Sequence, residues 1–173
     1  MKIELTAIGH IHSPHREAQG TPIQPRWATG IEGTVEVFPQ YAAGLRDLGG
    51  FERIWLLFWC DRARETQLEV VPYRDTQKRG VFATRAPSRP NSIGLSCVRL
   101  LGVEGATLRV AELDILDGTP LLDIKPYLPD FDVFSVTRVG WYASGHSTTT
   151  ADGRFVDEGQ LNYCHAQNTA HKT

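Results

Sequence analysis

Seven consecutive apolar residues, Ile54-Trp-Leu-Leu-Phe-Trp-Cys60, form the longest apolar run in the chain. The run has the length of a strand and is far too short for a bilayer, which takes about 20 helical residues. Unbroken hydrophobicity over strand length marks a central strand. Around it lie short β-like segments cut by turns. Leu5 to His12 is one, stopped by Ser13-Pro14. Gly33 to Phe38 alternates polar and apolar residues, the pattern of a half-buried strand. Leu68–Val71, Val81–Thr84, Ser96–Val103, Thr107–Asp114 and Leu121–Pro126 read as further strands. Glu104-Gly-Ala106 between two of them reads as a hairpin turn, and Asp117-Gly-Thr-Pro120 as another turn.

Helical periodicity is scarce. Tyr41, Leu45 and Leu48 predict one short helix over 39–48, ended by Gly49-Gly50. Strand–helix alternation is absent, which excludes a doubly wound α/β fold. The fold class is therefore mainly β: an antiparallel sheet curled into a β-barrel with one or two short helices. A chain of 173 residues fits one domain. The reading assigns residues 1–140 to the barrel domain and 141–173 to a short, partly flexible C-terminal extension, with a frayed tail after Gln160.

Three cysteines, Cys60, Cys97 and Cys164, stand far apart with no CxxC pair. This argues for a reducing cytosol and a cytoplasmic location. The start, MKIELTAIGH, lacks the apolar core of a signal peptide, and no segment suggests a membrane partner. Net charge is -2, which argues against a strongly basic nucleic-acid binder. The average hides an asymmetry. Arg62 to Arg99 carries eight Lys/Arg against three Asp/Glu, and Glu112 to Glu158 carries nine acids against three bases. A positive surface can thus stand beside a negative one. Fourteen of the eighteen cations are Arg, which suits bidentate contacts with phosphate or carboxylate.

No GxGxxG, no GxxxxGK[ST] and no GxSxG motif occurs. His10, His12 and His15 could converge on a metal, but nothing nearby completes a shell, and surface histidines at a strand end are the simpler reading; no metal is assigned. Asp114, Asp117 and Asp123 could serve acid–base work or a divalent ion, or simply form turns. Cys60 and Cys97 read as buried and inert. The informative stretch is Gly80 to Ser96, GVFATRAPSRPNSIGLS. Its prolines stiffen a loop that presents Arg85, Arg89 and Asn91 as donors to an anion. The same loop could instead bind only its own neighbours.

VFATRAPSRPNSIGLS, LDGTPLLDIKPY and GFERIWLLFW, with IGHIHSP near the start, resemble the TrmO (TsaA-like) family over about Ile8 to Asp132. The family consists of S-adenosylmethionine (SAM)-dependent methyltransferases built on a β-barrel. The resemblance implies methylation of N6 of N6-threonylcarbamoyladenosine beside a tRNA anticodon, by a homodimer with its cofactor site near the subunit interface. Carried over by position, SAM contacts come from Pro22, Ile23 and Gln24, from Cys60 and Asp61, from Arg85 and Leu95, and from Leu116, Asp117, Gly118 and Thr119. Arg89 and Asn91 would face the tRNA or the threonyl carboxylate. The acceptor nitrogen is a poor nucleophile, so a group must remove or orient its proton. Asp117, Lys125 and Tyr127 are the candidates. The chain differs from the family pattern at Ser92, where proline is usual, and at Trp59-Cys60-Asp61, where Phe-His is expected. It resembles a short form without the second C-terminal domain of bacterial members. A small-molecule acceptor and a non-catalytic SAM-binding module remain as alternatives.

Overall fold

The computed structural model describes residues 2–156. Strand β3 (Arg53–Trp59) carries the long apolar run, and Ile54 and Leu56 within it are fully buried. It is central, as its hydrophobicity predicts: β6 (Ile93–Glu104) pairs along one side and β8 (Thr119–Pro126) along the other. With β1 (Gly9–His12), β2 (Glu32–Val37) and β7 (Thr107–Ala111) these strands close an antiparallel barrel in the order β1-β2-β7-β6-β3-β8. Each strand sends alternate side chains inward. Val35 and Val37, Val98 and Leu100, and Leu108 and Val110 meet Ile11, Leu121 and the β3 pair in one core. Each such aliphatic side chain contributes roughly 1.5–3 kcal/mol on burial.

Register shifts at Leu57/Phe58 in the β3–β8 pairing and at Leu100/Gly102 in the β6–β7 pairing bend the sheet, as closure of a small barrel requires. The expected hairpin forms: Glu104 pairs with Thr107 across a two-residue turn in which Gly105 has φ 62°. A short ladder of β4 (Glu69–Val70) and β5 (Arg79–Gly80) lies outside the barrel. There Val70, Val81, Ala86 and Phe155 make a second, smaller core.

Several expected boundaries shift. Only Gly9–His12 of the segment from Leu5 pairs as a strand. The helix expected over 39–48 is two 3-10 segments, Pro39–Leu45 and Leu48–Gly50. Asp47 separates them with φ 65°, a conformation no right-handed helix can pass through. Leu45 and Leu48 still reach the core, which is what their spacing encodes. Val81–Ala83 is a 3-10 turn and no strand. Both the amide and the hydroxyl of Thr84 donate to the Val81 carbonyl and hold the turn closed. The α-helix α1 (Pro129–Asp132) has a single turn.

The stretch beyond residue 144, polar and without sequence signal, is pinned to the barrel as far as it is described. Thr150 bridges to Pro22, Val156 to Ala63, and the Ala151 amide donates to the Thr21 carbonyl. Residues after Gln160, including Cys164, lie outside the described residues.

Candidate functional site

A cleft of about 460 Å³ opens at one end of the barrel. The end of β3, the start of β6, the exit of β7 and the start of β8 meet there, because antiparallel pairing brings alternate strand ends to the same rim. The loop after β1 forms a wall, and residues 149–151 brace that wall through hydrogen bonds to Gly20, Thr21 and Ile23. Volume and position suit a small-molecule site at a barrel mouth.

A hydrogen-bond chain shapes the rim. Arg62 Nη2 donates to Thr119 Oγ1 at 2.8 Å, and that hydroxyl donates to the Leu116 carbonyl at 2.7 Å. Arg62 Nε faces Asp61 Oδ1 at 3.4 Å. The Cys60 amide donates to the Ser92 carbonyl, which seals the end of β3 to the start of β6. Across the cleft Arg85 Nη1 donates to Gln24 Oε1 at 2.5 Å. Burial pushes the Cys60 thiol up to about 12, with the Asp61 and Asp114 carboxylates adding to the rise. Cys60 is thus an inert wall and no nucleophile.

Asp114 is the singular group. Its Oδ1 is sealed from solvent and has no hydrogen-bond partner among the described residues. Burial pushes its carboxyl up to about 7, against the Ser96 hydroxyl and the more distant Arg85 charge. A carboxyl poised near neutrality in a cleft is suited to proton exchange. Arg62 Nε is likewise buried without a hydrogen-bond partner. Asp114 Oδ1 and Arg62 Nε, the latter 3.4 Å from Asp61 Oδ1, are thus two buried polar atoms at the cleft without a hydrogen bond among the described residues.

The cleft gathers most of the residues singled out from the sequence. Pro22, Ile23 and Gln24 line it from the first loop, Cys60 and Asp61 from the end of β3, and Arg85 and Leu95 from the Pro-rich stretch and β6. Leu116 and Thr119 complete the set. Asp117 and Gly118 are not among its lining residues. The Asp117 carboxylate turns to the other side, where it accepts from the Ser13 amide at 3.1 Å and pairs with Arg16. Arg89 and Asn91 line the cleft, but Arg89 Nη1 also donates to the Thr84 carbonyl of its own loop at 3.2 Å. Lys125 and Tyr127 stand at the other end of β8: Lys125 pairs with Asp123 at 2.8 Å, and the Tyr127 amide donates to the Arg53 carbonyl.

The histidines take separate partners. His10 packs edge-on against Phe38, His12 lies between Glu36 and Asp117, and His15 Nε2 meets the Leu113 carbonyl at 3.1 Å. No group of three or more metal-ligating side chains stands together among the described residues. No helix among them is long and apolar enough to cross a membrane.

Sequence reasoning gave no site role to Arg62, Phe58 or Ser96 and left Asp114 as one of three aspartates open to acid–base work, a divalent ion or a turn. A signal existed for Asp114: it stands between Leu113 and Ile115, both core residues. Ser96 is likewise a hydroxyl at an inward position of an otherwise aliphatic strand face.

Residues 10–133 match the family described as the tRNA-methyltransferase O N-terminal domain. A Pyrococcus abyssi protein described as a probable S-adenosyl-L-methionine-binding protein is 53% identical over 86% of this chain and 82% of its own. The tRNA (adenine(37)-N6)-methyltransferase of Escherichia coli is 39% identical over 73% of this chain. The crystal structure of TrmO from Pseudomonas aeruginosa superposes with a TM-score of 0.69 at 39% identity and covers 82% of this chain. This chain spans 58% of the Escherichia coli protein and 63% of the Pseudomonas one.

Proposed function

The chain belongs to the tRNA-methyltransferase O N-terminal domain family, and from that membership we propose that it binds SAM in the barrel-mouth cleft and methylates N6 of a tRNA adenosine. The acceptor is N6-threonylcarbamoyladenosine beside the anticodon, and the setting is the cytoplasm. The observation that carries the reading is the cleft itself. Residues from four separate segments, expected from the family motifs to hold SAM, line one cavity, and Asp114 Oδ1 and Arg62 Nε in its lining have no hydrogen-bond partner among the described residues.

Bound SAM supplies a methyl carbon already activated by its sulfonium. The chain supplies the rest. Arg85 and Arg62 offer donors to a carboxylate, and Asp61 takes a hydroxyl pair or an ammonium. Backbone groups at Leu95 and Leu116 read the adenine edge. Phe58, Ile115 and Ala151 exclude water from the reacting atoms. Asp114 accepts the N6 proton as the nitrogen gains its methyl group; its elevated affinity for protons fits that role better than Asp117, whose carboxylate is already committed.

The working unit is a homodimer. Trp55, Leu57 and Trp59 on the outer face of β3 pair in register with Cys97, Leu95 and Ile93 on β6. This ladder contains no charged side chain, and Ile93 and Leu95 continue it into the cleft. A second copy is the partner that such a face, running into the site, fits. Lys125 and Tyr127 lie too far along β8 to serve the cleft of their own chain, so any part they play belongs to the dimer. The test is calorimetric titration with SAM, then transfer from methyl-labelled SAM to total tRNA from cells lacking this gene. SAM binding with label in tRNA supports the reading. SAM binding without transfer to tRNA shifts it to a small-molecule acceptor, and no SAM binding removes it.

A further inference from the structure

A second groove, of about 710 Å³, adjoins the cleft behind the wall made by Gln24 and Arg85. Its residues are an unusual set. Trp27, Phe82, Trp141 and Tyr142 offer ring surfaces, Arg26 and Arg74 add to the positive charge of Arg85, and none of its lining residues is acidic. In a chain of net charge -2 this concentrates cations on one surface. The Arg74 guanidinium lies between two rings, 5.1 Å from the Trp27 centroid and 5.0 Å from that of Tyr142. Its Nε is buried with no hydrogen-bond partner among the described residues. Trp141 is held in place by its Nε1–H donating to the Ala83 carbonyl at 2.8 Å. Phe82 is 76% exposed, and Tyr142, stacked on Arg74 and edge-on to Trp141, still presents 45% of its surface.

We propose that this groove seats the single-stranded RNA nucleotides that flank the acceptor adenosine. The inference rests on the tRNA reading above and adds a binding surface to it. Unpaired bases are bound by stacking on aromatic rings and on guanidinium planes, and their phosphates by arginine. The groove supplies both, with no carboxylate to repel a phosphate. It is also continuous with the cleft, so a strand that places one base beside the methyl donor must lay its neighbours along this path. The ring–Arg74–ring stack is preformed, which lowers the ordering cost on binding.

The test is binding of a fluorescently labelled anticodon stem-loop RNA, measured over a range of salt, alongside SAM titration of the same proteins. Tyr142→Ala should weaken RNA binding about tenfold, the size of a lost base stack. Tyr142→Phe should restore it. Arg26→Ala should lower the salt slope by about one. SAM affinity should stay within twofold in all three, by the same titration. Unchanged RNA affinity in Tyr142→Ala and Arg26→Ala, with methyl transfer to tRNA intact, would overturn the groove while leaving the methyltransferase reading standing. A wild-type protein that transfers no methyl group to tRNA would remove both. Polyglutamate bound as tightly as the RNA, or a dimer lost in Tyr142→Ala by sedimentation, would assign the groove to a protein partner instead.

Discussion

The ring of Phe58 fills the space that a side chain at position 94 would need, so that a Cβ built on Gly94 falls among the ring carbons. The two residues face each other across β3 and β6, and both line the cleft. Glycine here serves close approach and not backbone freedom.

Gly94→Ala should therefore cost about 1–3 kcal/mol by overpacking and displace the ring from the cleft wall. The expected outcome is a lower Tm together with weaker SAM binding by calorimetry. Adding Phe58→Leu should recover stability. Wild-type behaviour of Gly94→Ala would show that the ring yields freely.

Asp114 ties stability to pH with a definite sign. Its folded carboxyl is raised from 3.8 to about 7. The folded state thus keeps a proton that the unfolded chain releases, so this contribution is whole below about pH 4 and lost as pH rises to about 7. The loss is at most about 4 kcal/mol by linkage. Between about pH 5 and about pH 8 the wild-type Tm should fall relative to that of Asp114→Asn. Methyl transfer by the wild type should decline as pH falls through about 7, and Asp114→Asn should lose it at every pH. Parallel Tm curves would place the carboxylate in solvent.

Leu57→Arg puts a charge at the centre of the apolar ladder without touching the inward face of β3. Sedimentation should then give monomers where the wild type gives dimers, with the barrel still folded by circular dichroism. Dimers in both proteins would move the interface elsewhere.

Asp117 anchors the loop after β1 to the turn before β8 through Ser13 and Arg16. Removing a carboxylate that accepts such bonds costs about 2 kcal/mol, so Asp117→Ala should lower Tm by roughly 5 °C. Its effect on SAM affinity should be smaller than tenfold, since the carboxylate faces away from the cleft. A hundredfold loss of affinity at unchanged Tm would bring Asp117 back among the groups that touch the cofactor.

Much of this protein was legible in the order of its residues. Period-two patterning is local, so β2, β6 and β7 and the Glu104-Gly-Ala106 turn could be read directly, as could β3 from its unbroken apolar run. The family resemblance carried Gln24, Asp61, Arg85 and Thr119 over by position, and all four line one cleft. Other features have no local signature. The 3-10 turn at Val81–Ala83 hangs on one threonine's hydrogen bonds, and the break at Asp47 on a single backbone dihedral.

The linear chain determined the strands and the kinds of groups at the site, because side-chain alternation and turn chemistry act between near neighbours. Only the closed barrel decided which carboxylate lines the cleft. Asp114 and Asp117 are three positions apart and chemically identical. Closure buries one beside Arg62 and Cys60 at the strand ends and turns the other to Ser13 and Arg16, more than a hundred residues away in sequence. Burial and partnership are properties of the surroundings, and for these two residues the surroundings exist only once distant strands have met.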